Sequence, residues 1–239
     1  MKKFFFFLTK ITICVVIIIV VFIAGSDWYI HVNQPGYYQS QYSINIRNLS
    51  YYSTDGFITD IIVPIPQLNH EDVFFDESMQ GQTFGNWKSV LVATDDGKML
   101  ALQSTGNNLS DISASFVTDY RRIGTTRWEI NDLSLIPVIE QPDNNGMSQF
   151  SHSTTIVYIP RKFSSIHEEN SPPITVDIEY IVFGDRTGSD YIDDYQLQGT
   201  IVIPEDYSGK IPLAVHAYSR APIPRDGNIT WLRINPESP

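Results

Sequence analysis

Between Ile174 and Val182 the chain alternates: Ile174, Val176, Ile178, Tyr180 and Val182 are separated by polar Thr175, Asp177 and Glu179. Side chains two apart share one face of a strand, so this run has an apolar face and a wetter one. No helix can segregate those residues. The pattern recurs in Tyr42, Ile44 and Ile46, in Ile112, Ala114, Phe116 and Tyr120, and in Ile211, Leu213, Val215 and Ala217. Half-buried antiparallel strands read this way. Eight or more short strands with little helical signal predict an all-β fold, an antiparallel β-sandwich with the apolar faces of two sheets packed together.

The punctuation agrees. Trp87 to Thr94 and Lys98 to Ser104 flank Asp95-Asp96-Gly97, a hairpin signal because glycine accepts positive φ. A longer hairpin is predicted for Gly199 to Ile203 and Ile211 to Tyr218, joined by 204–210. Proline lacks the ladder donor, so Val63-Pro64, Ile65-Pro66, Ile159-Pro160 and Ile203-Pro204 mark strand ends. One short helix is predicted over Asn69 to Met79, with acids in its first turn. The softer stretch 141–146 offers a boundary between two β units, and 164–173 reads as a long loop.

The N-terminus has different physics. Lys2 and Lys3 precede Phe4 to Leu8, and after Thr9 and Lys10 an unbroken apolar run extends from Ile11 to Ala24. A bilayer core of about 30 Å needs about 20 helical residues, which Phe4 to Gly25 supplies if Lys10 snorkels to the headgroups. In lipid the backbone must bond to itself, so the β-branched content does not prevent a helix. Every charge before Asp27 is basic, which predicts a cytoplasmic N-terminus and an exported domain. The expected organisation is an anchor over 1–26, a juxtamembrane tether over 27–41 and an extracytoplasmic β domain over 42–239. The rival reading is a signal peptide cleaved after Ser26, since Ala24 and Ser26 are suitably small. Either way the folded part is predicted outside the cytoplasm, at the cell membrane.

All 27 acidic residues but only 13 of the 16 basic ones lie after Ser26, leaving that part at about −14. Such a surface repels nucleic acid, so no nucleic-acid partner is expected. The predicted partners are the lipid bilayer, through the N-terminal helix, and an envelope protein or glycan. Cys14 is the sole cysteine and falls in the anchor, so the domain has no disulfide, zinc-thiolate site or thiol nucleophile.

Nucleotide-binding loops, GxSxG, HExxH and SxxK are absent from the sequence. No catalytic residue is assigned. Of five histidines, His216 alternates with Leu213 and Val215 beside Tyr218, which places it on a strand's outer face. Asp185, Asp190, Asp193 and Asp194 crowd the loop Gly184 to Asp194, and their oxygens suit calcium, which takes six to eight oxygen ligands. No other cofactor is predicted. Asn48, Asn108 and Asn228 open Asn-x-Ser/Thr sequons, usable where the host glycosylates exported proteins. The functional expectation is a membrane-anchored extracytoplasmic β domain that binds or scaffolds at the cell envelope, not an enzyme. The alternative is an envelope polysaccharide hydrolase using paired carboxylates, which needs two acids about 5 to 10 Å apart.

Overall fold

A computed structural model describes residues 19, 22, 25, 37–54, 58–68, 71–121, 133–139, 153–166, 171–183, 194–220 and 231–233. Sixteen strands run among them. The first eight are β1 (Tyr37–Arg47), β2 (Tyr52–Ser53), β3 (Asp60–Val63), β4 (Ile65–Leu68), β5 (Glu71–Asp72), β6 (Thr83–Phe84), β7 (Trp87–Thr94) and β8 (Gly97–Ser104). The rest are β9 (Ile112–Arg121), β10 (Leu133–Ile136), β11 (Ser153–Ile159), β12 (Ser164–Ser165), β13 (Ile174–Phe183), β14 (Tyr195–Ile203), β15 (Gly209–Arg220) and β16 (Trp231–Arg233). A four-residue helix, α1 (Asp76–Met79), precedes β6. The fold is all-β, and its strand pairs are antiparallel.

One hydrogen-bonded path joins ten strands in the order β6-β7-β8-β3-β11-β15-β14-β13-β1-β9, and β16 adds to β15. Its two ends meet. The rings of Phe84 on β6 and Phe116 on β9 lie edge to face with centroids 5.5 Å apart. The Trp87 indole N–H donates to the Ser110 carbonyl at 2.8 Å, and the Ser110 hydroxyl donates to Asn86 Oδ1. The sheet is therefore rolled nearly to closure around one interior. Tyr42, Ile44, Ile178, Tyr180, Leu100, Leu102, Val157 and Leu213 share its core with less than 4 % exposure each. These are the residues whose period-two spacing sets the inward face. The small sheet β10-β4-β5 adds Ile65, Leu68, Leu133 and Leu135 to that core and packs on β8. The Tyr42 hydroxyl donates to the Pro64 carbonyl, and Ser40 and Tyr180 share a hydrogen bond at 3.3 Å. Burial pushes both phenols upward in pKa.

β15 is where the roll turns its corner. Its first half, Gly209 to Val215, pairs with β11, and only His216 to Ser219 pair with β14. The predicted long hairpin is thus joined at the end far from its turn. Residues Gly199 to Ile203 continue along β13 instead. Gly199 marks the parting: a Cβ there would stand 3.0 Å from the Ala214 carbonyl oxygen and 3.0 Å from Leu213 Cγ and Cδ1. Strands that divide their length between two partners are how sheets make corners.

Other differences are local. β1 begins at Tyr37, inside the predicted tether. The predicted helix is shorter: Glu71 and Asp72 pair with β4, Val73 and Phe74 are buried in the core, and only Asp76–Met79 is helical. Burying Val73 and Phe74 competes with a helix that would keep its acids in solvent. Pro66 sits inside β4, opposite Leu135, at a position where β5 does not pair. The β7–β8 hairpin forms as predicted, with Thr94 opposite Gly97, and Gly97 carries the positive φ of 124°. Lys98 pairs with Asp72 and Asp76 and so pins β8 to the α1 region. Of the predicted anchor, Ile19, Phe22 and Gly25 are helical, and the remainder lies outside the described residues. Among the described residues no helix is long and apolar enough to cross a membrane.

Candidate functional site

The two outer faces of the roll differ. Behind β7, β8, β3 and β11 the outward residues Met99, Ala101, Ile156 and Ile62 are buried, at 7 % exposure or less. The outward residues of β9, β1, β13, β14 and β15 are mostly polar and at least partly open to solvent, with apolar Val117, Ile181 and Val202 among them and Gln196 buried at 7 % exposure. Register arranges them in rows, because residues opposite each other in an antiparallel ladder share a face. One row runs Ser113, Asn45, Asp177, Thr200. The next runs Ser115, Ser43, Glu179, Gln198, His216. A third runs Val117, Gln41, Ile181, Gln196, Tyr218.

The rows are stitched together. Ser113 Oγ donates to Asn45 Oδ1 at 2.9 Å, and Thr200 Oγ1 donates to Asp177 Oδ1 at 2.7 Å. Arg47 reaches the other Asp177 oxygen at 2.7 Å, and the Gln196 amide donates to Glu179. At the row's end lies a shallow depression of about 390 Å³ between Asn45 and Arg47 on β1, Asp111 and Ser113 at β9, and Asp177 on β13. Asp111 is fixed by the Leu49 backbone N–H, which donates to its Oδ1 at 2.9 Å. Each bond uses one donor or acceptor of its side chain. The Asn45 amide N–H groups and the rest of the Arg47 fork face outward.

The predicted candidates fall unevenly. His216 lies on this face, half-exposed opposite Gln198, with Tyr218 in the adjoining row. His31, His70, His152 and His167 lie outside the described residues, as do Asp185, Asp190 and Asp193. Asp194 is buried at 4 % exposure immediately before β14. Among the described residues no three His, Cys, Asp or Glu side chains converge as a metal set. Asn48 has a left-handed φ of 71°, and its Nδ2 donates to the Pro173 carbonyl at 2.8 Å, so the nitrogen that would carry a glycan already has a partner. Asn108 is exposed at the rim of a second open depression, of about 410 Å³, with Asn86, Thr105 and Asn107. Asn228 is outside the described residues.

Asp177 and Glu179 are two apart on one strand face, the nearest approach to a carboxylate pair in these rows. Each is held by side-chain partners, and Asp194 is the sole buried acid among the described residues. Sequence reasoning missed Asn45, Arg47, Asp111 and Asp177 as a group, because no spacing along the chain connects residues from three separate segments. Only the register does. The comparisons add nothing to this geometry: no family model, no curated protein and no solved structure matches the chain.

Proposed function

We propose that the chain is a single-pass, membrane-anchored extracytoplasmic β domain that binds a component of the cell envelope. The observation that carries the reading is Lys2, Lys3 and Lys10 framing an apolar run that reaches Ala24, followed by a domain without cysteine. The anchor is the helix predicted from that run. The β domain works as a sandwich whose layers, β6-β7-β8-β3-β11 and β14-β13-β1-β9, are joined through β15. Its binding role is supported by the asymmetry of its faces, one apolar and buried, the other mostly polar and largely open to solvent.

Topology is testable directly. Protease added to intact spheroplasts should degrade the domain while leaving a small N-terminal fragment in the membrane fraction. Full protection in sealed cells defeats the orientation. A soluble product beginning near Asp27 defeats the anchor.

A further inference from the structure

Resting on the binding role proposed above, we infer that the open face of β9, β1, β13, β14 and β15, entered at the Asn45–Arg47–Asp177 depression, binds a neutral, hydroxyl-rich glycan. Three observations converge. First, the face offers both donors and acceptors at fixed positions. Asn45 and Arg47 present N–H groups, while Asp111, Asp177 and Glu179 present carboxylate oxygens. Sugar hydroxyls both donate and accept, so a mixed array matches them, whereas a one-sign array suits an ion.

Second, the array is already ordered. Cross-strand bonds hold Ser113 to Asn45, Thr200 to Asp177 and Gln196 to Glu179, so a ligand need not freeze those side chains. Third, charge selects the ligand class. The domain is strongly acidic, with Asp177 and Glu179 in these rows and Asp111 at the depression, which repels phosphate-bearing or sulfated polymers. Arg47 stands inside the depression with its charge set against Asp177, so the carboxylate at the entrance is already neutralised and does not call for a cationic ligand. A neutral polymer remains. Tyr218, half-buried on β15 between Gln196 of β14 and β16, supplies a ring on which a sugar face can stack. Five strands about 4.8 Å apart give a track roughly 19 Å wide, long enough for an extended chain to cross.

The test uses the full-length chain in lipid nanodiscs, where both sides of the bilayer are accessible. Cellopentaose and chitopentaose are the neutral probes and a heparin hexasaccharide is the polyanionic one, read by saturation-transfer NMR and titration. At least one neutral probe should bind and the polyanion should not. Asn45→Ala should weaken binding at least about tenfold, and Ser115→Lys, at an exposed position in the central row, should do the same by obstruction. Both variants should keep the wild-type circular dichroism and melting temperature. The inference is overturned by no binding of either neutral probe, by preferred binding of the polyanion, or by binding that survives both substitutions. Concentration-dependent dimers that Ser115→Lys dissolves also overturn it, because the face would then be a self-contact. Since nanodiscs do not depend on cellular orientation, a failure here leaves the spheroplast result standing, and the reverse holds equally.

Discussion

Gly199→Ala tests whether β15 is the corner of the roll. Gly199 pairs with Ile178 on β13 and is fully enclosed. The added methyl would stand 3.0 Å from a backbone oxygen, Ala214 O, and 3.0 Å from two atoms of Leu213, itself without exposure. Ordinary contact between such atoms is about 3.5 to 4.0 Å, so the strands must part by some tenths of an ångström. Overpacking of this kind costs about 1 to 3 kcal/mol. Losing glycine's freedom in the unfolded chain returns about 0.4 to 1 kcal/mol. The net is a loss of about 1 to 2 kcal/mol, or roughly 2 to 8 °C in melting temperature for a domain of this size. Gly106→Ala is the control, because nothing lies within 4 Å of the methyl it would add. It should stay within about 0.5 kcal/mol of wild type. Leu213→Ala alone should cost about 2 to 5 kcal/mol, but in its background the Gly199→Ala increment should shrink, since two of the three close contacts disappear. Thermal melts and a double-mutant cycle read both effects. If Gly199→Ala melts with wild type, or if its cost is unchanged without Leu213, the steric account of the corner is wrong.

Three further outcomes follow from the same packing. Thr155 is fully buried on β11 and its hydroxyl finds no hydrogen-bond partner among the described residues, so Thr155→Val should raise stability by about 1 kcal/mol in a urea melt. Tyr42 and Tyr180 have folded-state pKa values raised by burial, so the stability they contribute is complete below the unfolded phenol value, about 10, and is lost as pH climbs beyond it. Their ultraviolet titration should coincide with alkaline unfolding and not precede it. Asn86→Ala removes the link to Ser110 and to the Asn108 carbonyl beside β9. Hydrogen exchange should then quicken in β9 at the seam of the roll while β13, paired on both edges, keeps its protection.

What the sequence made legible is the part of the fold that depends on period two. Tyr42, Ile44, Ile112 and Ile178 are inward because their neighbours in sequence are polar, and local alternation suffices to read that. The Asp95-Asp96-Gly97 turn is equally local. Partner choice is not. Gly199 to Ile203 and Ile211 to Tyr218 carry everything a hairpin needs, yet the arms separate because Gly209 to Val215 can pair with β11. The residues that permit this, Gly199 and Pro212, were visible as a strand glycine and a strand proline. Glycine inside a strand signals close backbone approach, and proline suits a stretch with one vacant edge. β15 supplies such an edge over its first half, where β14 does not pair with it. The candidate site lies at the same limit. Asn45, Asp111, Asp177 and Thr200 come from four separate strands, and each alone is an unremarked polar residue on a solvent face. What makes them a surface is a register fixed by the buried residues between them. Shifting β1 by one residue against β13 would send Asn45 inward and Ile44 out. Burial of Ile44 and Ile46 on the inner face therefore places the outer array, and a substitution deep in the core that loosens β1 should disturb that array without touching any member of it.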